Sequence, residues 1–280
     1  MTKASEFSSI CGEVVTTVEH EASRVPDYSA DFKNPSQVQT KTSIGDVITQ
    51  LDRTIERELI QKLTAIIPGS RVIGEESGQH GEGFLNWIVD PIDGSTNVLH
   101  GMPHAAVSVA LCEGSIPRVG VVHNPFTGMS YYAVAGEGAF SHRRQAPPGR
   151  EADERIEVSP NRRLSHSLLG FGLPYDRSKA PRIFHVAERA FGQCQDLRRR
   201  GSAALDLVSV ATGELDGYFE LDLRVWDVAA AGLILQEAGG SISSWDGKSL
   251  RWESPEKKLD VLATNGAIHG ALQGILLECP

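Results

Sequence analysis

The chain has 280 residues, 40% of them hydrophobic and 22% charged, with a formal net charge of −9, enough to bury a sizeable core as one large domain or as two halves packed together. The acidic balance argues against a nucleic-acid partner, because phosphate backbones need a basic footprint; the cluster Arg198-Arg199-Arg200 reads as a solvated or interface patch. No apolar run of about 18 residues offers a membrane-spanning helix, and Met1–Ser9 lacks a secretory pattern, so a cytoplasmic location without membrane attachment is expected.

In chain order, apolar spacing predicts amphipathic helices over Ser5–Ala22 and Asp46–Ile66, the second closed by Pro68-Gly69. Short strand-like runs follow at Arg71–Gly74, Phe84–Val89, Ala105–Leu111, Val119–His123 and Ser130–Val134, with turns such as Asn124-Pro125 between them. Arg143–Glu154 carries two prolines, a glycine and many charges, and is the expected boundary between halves 1–145 and 146–280. Beyond it, strands at Ile156–Ser159, Leu168–Gly170, Asp196–Arg200, Tyr218–Leu221 and Val261–Thr264 alternate with helices at Pro181–Phe191, Ala203–Thr212, Val225–Ala238 and Ile268–Leu277. Gly239-Gly240 closes the third of these helices in the C-cap manner. The pattern is that of a mixed α/β (α+β) chain. Cys11, Cys112, Cys194 and Cys279 stand singly, as reduced thiols rather than a disulfide framework.

Oxygen donors concentrate in Trp87–Asn97. An apolar strand carries Asp90 to its end, and Pro91 turns the chain so that the Ile92 carbonyl and Asp93 can face the same place. Hard divalent cations want such oxygens, and Mg²⁺ takes only part of its shell from protein. Gly94-Ser95-Thr96-Asn97 adds close backbone approach and a helix start whose exposed N–H groups favour a phosphate. Gly74-Glu75-Glu76-Ser77 ends a strand with adjacent carboxylates, and Asp227 opens an otherwise apolar helix. Taken singly, Glu75 and Glu76 suit a solvated turn, Asp227 and Asp46 helix N-caps, and Asp52 a solvated charge. Together with the aspartate turn, Glu75 and Asp227 read as parts of one metal site.

Other phosphate chemistries fit less well. Cys112 and Arg118 have the C-x5-R spacing of cysteine phosphatases, but no histidine precedes the cysteine and Val119–Val122 reads as a strand. Asp90 and Asp93 are spaced wrongly for a D-x-D aspartyl phosphatase. Neither a Walker loop nor G-x-G-x-x-G is present, Gly136–Phe140 coming closest.

The same segments resemble the inositol monophosphatase family of Mg²⁺-dependent, Li⁺-sensitive phosphatases. The family motifs stand here in order as Gly74-Glu75-Glu76, Asp90–Asn97, and Trp226-Asp227 with Glu237-Ala238-Gly239-Gly240, within a likeness running from about Lys41 to Ile268. The resemblance implies a layered αβαβα sandwich of the sugar-phosphatase type, usually homodimeric. The N-terminal half would carry most metal ligands, and the C-terminal half Asp227 and the substrate contacts.

Residue by residue, the resemblance makes Glu75, Asp90, the Ile92 carbonyl, Asp93 and Asp227 ligands for two or three Mg²⁺ ions. Asp52, Glu75 and Ser95 would activate the water; the family more often has threonine at position 95, and Ser95 keeps the hydroxyl. Backbone N–H groups of Gly94 and Ser95, beside Asp93, would hold the phosphate, and Gly201, Ser202, Ala203 and Glu220 would contact substrate hydroxyls. Lys41–Asp46 and Thr49 resemble the family segment leading to the carboxylate that supports the nucleophilic water. The implied mechanism is hydrolysis by metal-activated water without a covalent phosphoenzyme.

Thr96-Asn97 stands where relatives acting on 3′-phosphoadenosine 5′-phosphate or histidinol phosphate often carry a lysine, which points to inositol monophosphate, with fructose 1,6-bisphosphate or another sugar or polyol phosphate as the alternative. A non-catalytic regulatory protein that kept the fold is the reading from another class, opposed by an intact ligand set. The resemblance further implies that LiCl lowers kcat more than NaCl at equal ionic strength, without relief by substrate. Steady-state rates in the two salts test this, and equal rates would contradict it.

Overall fold

The computed structural model describes residues 3–31, 38–40, 47–143, 153–250, 252 and 255–278. Helices α1 (Lys3–Ala22) and α2 (Val25–Asp31) precede a short antiparallel pair, β1 (Val38–Thr40) and β2 (Val47–Thr49), which leads into α3 (Gln50–Ile66). Helix α3 starts later than the apolar spacing predicts. Its N-cap is Thr49, whose hydroxyl accepts the N–H groups of Leu51 and Asp52 while the Asp52 carboxylate accepts the N–H of Thr49. Asp52 is therefore a buried capping residue rather than a solvated charge; Asp46, with Lys41–Ile44, lies outside the described residues.

Strands β3 (Arg71–Gly74), β4 (Gly78–His80) and β5 (Leu85–Asp93), the short helix α4 (Ser95–Leu99), and strands β6 (Ala106–Glu113), β7 (Ile116–Asn124), β8 (Met129–Val134), β9 (Gly138–Arg143) and β10 (Asp153–Arg155) follow. Among the described residues they form an eight-stranded sheet of order β10-β9-β8-β7-β6-β5-β3-β4, antiparallel except where β3 runs parallel to β5. The expected boundary at 145/146 lies outside the described residues, and β10 beyond it still pairs with β9. Strand β5 continues through Pro91, and its register against β6 shifts between Asp90 and Asp93. Residues three apart on a regular strand face opposite sides, so this irregularity is what allows the two aspartates to meet.

The remaining elements are β11 (Leu168–Phe171), α5 (Ala180–Phe191), β12 (Asp196–Arg198), α6 (Ala203–Ala211), β13 (Gly217–Leu223), α7 (Val225–Glu237), β14 (Ser241–Ser244), β15 (Leu259–Thr264) and α8 (His269–Leu277). The five strands make a second sheet of order β12-β11-β13-β15-β14, in which β11 runs parallel to both neighbours and the other pairs are antiparallel. Ile156–Ser159 forms no strand, contrary to its alternating sequence. The Ile156 N–H instead donates to Ala139 and that of Val158 to Ala238, tying the first sheet to the end of α7.

Strand alternation sorts the core into layers. Val72, Trp87, Val89, Val109 and Val121 pack on α1 and α3, against Val14, Val18, Ile55 and Leu59. The alternate residues Ile73, Ile88, Ala110 and Val122 meet α6 and α7, which pack in turn on Tyr218, Val261 and Ala263 of the second sheet. The far face of that sheet, with Leu169, Phe219 and Leu262, is covered by Ile183 and Val186 of α5 and Leu272 and Ile275 of α8. The result is the αβαβα sandwich that the resemblance implies. Helix α7 is apolar all round because it lies between two sheets, and a Cβ at Gly120 would stand 2.6 Å from the Ala230 carbonyl, so β7 needs glycine where α7 crosses it. Burial pushes the thiols of Cys11 and Cys112 up to about 12, which makes them core fillers; Cys279 lies outside the described residues. Among the described residues no helix is long and apolar enough to cross a membrane.

Candidate active site

Three carboxylates converge where the two sheets and α7 meet. Asp90 closes the regular part of β5, Asp93 follows its bulge, and Asp227 lies in the first turn of α7; one oxygen from each falls within 4.8 Å of the others. Asp227 is not the N-cap that its position suggests: Arg224 is, and the Arg224 N–H donates to Asp227 Oδ2 at 2.6 Å. Glu75 continues from β3, its N–H donating to the Val89 carbonyl at 3.1 Å and its side chain hydrogen-bonded to Asp90. The Ile92 N–H donates to Asp90 Oδ1 at 3.0 Å, which turns the Ile92 peptide within the same loop.

The electrostatics of this cluster favour protonation or a bound cation. Asp90 is 1% exposed, and burial, then the charges of Glu75, Asp93 and Asp227, push its pKa well above the usual carboxylate range. Asp227 is raised in the same way, by burial and then by Asp93 and Glu75. For Asp93, burial is opposed by the Ser202 hydroxyl and the Ala204 N–H, and its pKa rises to about 6. Desolvated like charges repel until they are protonated or neutralised. The donors are all oxygen, without sulfur or imidazole, which suits a hard cation such as Mg²⁺. The residues present therefore fit the metal that the resemblance implies.

This arrangement carries a stability consequence with a definite sign. Each folded-state pKa lies above the unfolded value of about 3.9, so the cluster is neutral and unstrained below that value, and its stability is lost as pH rises through the folded pKa values, near 6 for Asp93. Mg²⁺ should therefore raise Tm over the chelated protein more at pH 8 than at pH 5. The difference between the two melting curves removes the contribution of remote carboxylates, and a metal effect independent of pH would contradict the placement of these groups.

Beside the cluster a chain of hydroxyls is already wired. Ser95 Oγ lies 2.6 Å from Asp52 Oδ1 and 2.9 Å from the Ile92 carbonyl. A single O–H cannot serve both, and the shorter bond to a carboxylate is the stronger. Oδ2 of Asp52 accepts from both the hydroxyl and the N–H of Thr49. Asp52 thus has three donors on its two oxygens, and the lone pairs of Ser95 Oγ can accept from a water.

The structure places the expected substrate contacts unevenly. Ser202, 1% exposed, donates its hydroxyl to Asp93 Oδ2 at 2.6 Å, and the Ala204 N–H donates to the same oxygen at 2.7 Å. The start of α6 therefore orients Asp93, and the Ser202 hydroxyl is committed to that task. Gly94 has φ +93, and a Cβ there would crowd the carbonyls of His104 and Gly201 at 3.1 and 3.2 Å. Asn97 Nδ2 clamps the same junction by donating to the carbonyls of His104 and Arg200 at 2.7 and 2.8 Å.

Glu220 on β13 accepts the Tyr218 hydroxyl, and burial lifts its pKa to about 8, so it is protonated near neutral pH. A Cβ at Gly172 would stand 1.9 Å from its carboxylate. Sequence reasoning missed the roles of Tyr218, Gly172 and Glu56. For Tyr218 the available signal is its spacing of two from Glu220 along one strand, which sets both side chains on one face.

Comparison with known proteins agrees with this geometry. Residues 11–278 match the profile of the inositol monophosphatase family. The inositol-1-monophosphatase of Synechocystis sp. is 38% identical over 87% of this chain and 81% of its own length. A Pasteurella multocida protein named Nus factor SuhB is 36% identical over 74% of this chain and 75% of its own. The solved inositol monophosphatase of Anabaena superposes with a TM-score of 0.82 at 31% identity, covering 98% of this chain and 97% of that one. The chain belongs to the inositol monophosphatase family, and that membership supports a phosphatase-type function on a phosphorylated small molecule.

Proposed function

We propose that this protein is a Mg²⁺-dependent phosphomonoesterase acting on inositol monophosphate or a similar small polyol phosphate. The observation that carries the reading is the junction of the Asp90, Asp93 and Asp227 cluster with the Thr49, Asp52 and Ser95 chain. Two or three Mg²⁺ ions would be held by Glu75, Asp90, the Ile92 carbonyl, Asp93 and Asp227. Such ions, when bound, lower the pKa of a coordinated water and neutralise charge on the phosphoryl group.

The protein's own groups then do the positioning. Ser95 Oγ accepts a hydrogen bond from the attacking water and passes its own proton toward Asp52, which Thr49 holds in place, with Glu75 on the other side of the water. Backbone N–H groups of Gly94 and Ser95 at the start of α4 hold phosphate oxygens. Glu220, kept protonated by burial, faces the polyol hydroxyls together with the backbone of Gly201 and Ala203, and Ser202 acts through Asp93. A homodimer in the cytoplasm is the setting we expect.

Phosphate release from a panel of esters, compared by kcat/KM with and without Mg²⁺, tests the reading. Inositol monophosphate should lead the panel. A preference for fructose 1,6-bisphosphate would change the substrate and keep the mechanism. The relatives named Nus factor SuhB favour a second reading, a binding role on the same fold, and a protein that binds Mg²⁺ yet hydrolyses no ester in the panel would support it.

A further inference from the structure

The two carboxylates of α3 that face the core do different work. Asp52 and Glu56 are four residues apart, hence on one side of the helix, and each is 1% exposed. Asp52 belongs to the hydroxyl chain beside Ser95. The Glu56 carboxylate points at the turn after β3, where Oε2 accepts the N–H of Glu76 and Oε1 the N–H of Ser77, both at 2.8 Å. A Cβ on Gly74 would stand 2.7 Å from the Glu56 carboxyl carbon, so a larger residue there would displace this carboxylate from the turn.

We infer that Glu56 is a positioning residue for the metal-binding carboxylate of Glu75, an inference that rests on the ligand role proposed above. The backbone of Glu75 is held on both sides: its own N–H donates to Val89, and the peptide that follows it is held by Glu56. The direction of the Glu76 N–H sets ψ at Glu75, and with the N–H of Glu75 fixed as well, the Cα–Cβ bond has one direction open to it. That direction aims Glu75 at Asp90 and the other aspartates.

The burial of Glu56 is itself informative. Its partners among the described residues are the two N–H groups, with no cationic side chain within ion-pair distance, and burying a carboxyl group so sparsely partnered is a costly way to brace a turn. The cost is accounted for if the turn must hold a ligand to within tenths of an ångström. Groups that orient a metal ligand typically change metal affinity by about 10- to 100-fold when removed.

The test is a double-mutant cycle on metal binding in the absence of substrate. Glu56→Gln keeps the shape but turns an amide N–H₂ toward one backbone N–H. Titration calorimetry with Mg²⁺ or Mn²⁺, well below Tm, should show affinity weakened by about 10-fold or more. In a Glu75→Gln background the same change should cost less than about threefold, because the group it acts through is gone. If Glu56→Gln does not fold, Glu56→Asp, which keeps the charge but falls one methylene short of the turn, carries the same two comparisons. A lowered Tm with wild-type metal affinity would reduce Glu56 to a loop brace and overturn the inference, as would an equal loss in both backgrounds. Wild-type protein that binds neither cation would instead overturn the metal reading on which the inference stands.

Discussion

Asp93→Asn is expected to lower kcat/KM for a phosphate monoester by about 10³-fold or more, the size of losing several kcal/mol of metal-borne charge stabilisation, with no loss of folded protein. One oxygen of Asp93 is already committed, accepting from the Ser202 hydroxyl and the Ala204 N–H, so only the other is available to a cation. Asparagine can keep the helix contacts and present an N–H₂ group to the metal, or keep a carbonyl toward the metal and present donors to donors at α6. Both arrangements cost a ligand or its orientation. Stability should move the other way, because the substitution removes one of three mutually repelling carboxylates, and the chelated variant should melt no lower than chelated wild type. Activity within about threefold of wild type would remove Asp93 from the mechanism.

Ser95→Ala should lower kcat by about 10²- to 10⁴-fold, the range for loss of a general acid–base group, with KM changed less than about threefold. The asymmetry follows from the division of labour at the start of α4: the hydroxyl is bonded to Asp52, whereas the phosphate is assigned to backbone N–H groups that alanine retains. Ser95→Thr keeps the oxygen and adds a methyl, and should stay close to wild type. If Ser95→Ala raised KM and left kcat alone, the hydroxyl would be a binding group and the route from water to Asp52 would be wrong.

Much of this architecture was legible in the sequence, and the lapses have physical causes. The helices α1, α5 and α7 announced themselves through long apolar patterns, and Gly239 closes α7 where expected. Strand β5 was read as ending at Val89 or Asp90, with Pro91 turning the chain, yet the strand runs on to Asp93 through a bulge that a proline can occupy. The exposed strands β4 and β10 and the edge strand β14 have too little apolar alternation to be seen. Ile156–Ser159 has that alternation but spends its hydrogen bonds on two separate elements.

At the site, the oxygen-rich turn at Asp90 and Asp93 was visible because its donors are adjacent in sequence. The role of Ser202 was not, since its partner Asp93 lies 109 residues away. Asp52 and Glu56 could have been found: they interrupt the buried stripe of Leu51, Ile55, Leu59 and Leu63 on α3, and a carboxylate in such a stripe needs donors waiting for it. Reading Asp52 as solvated overlooked that neighbourhood.

If this cluster is a metal-dependent phosphatase centre, phosphate release from inositol monophosphate should depend on both the metal and Asp93, with wild type and Asp93→Asn each assayed in Mg²⁺ and in chelator. Turnover is expected in one arm alone, wild type with Mg²⁺, and near-background rates in the other three. Wild-type turnover undiminished by the chelator, or Asp93→Asn turning over at the wild-type rate in Mg²⁺, would contradict it.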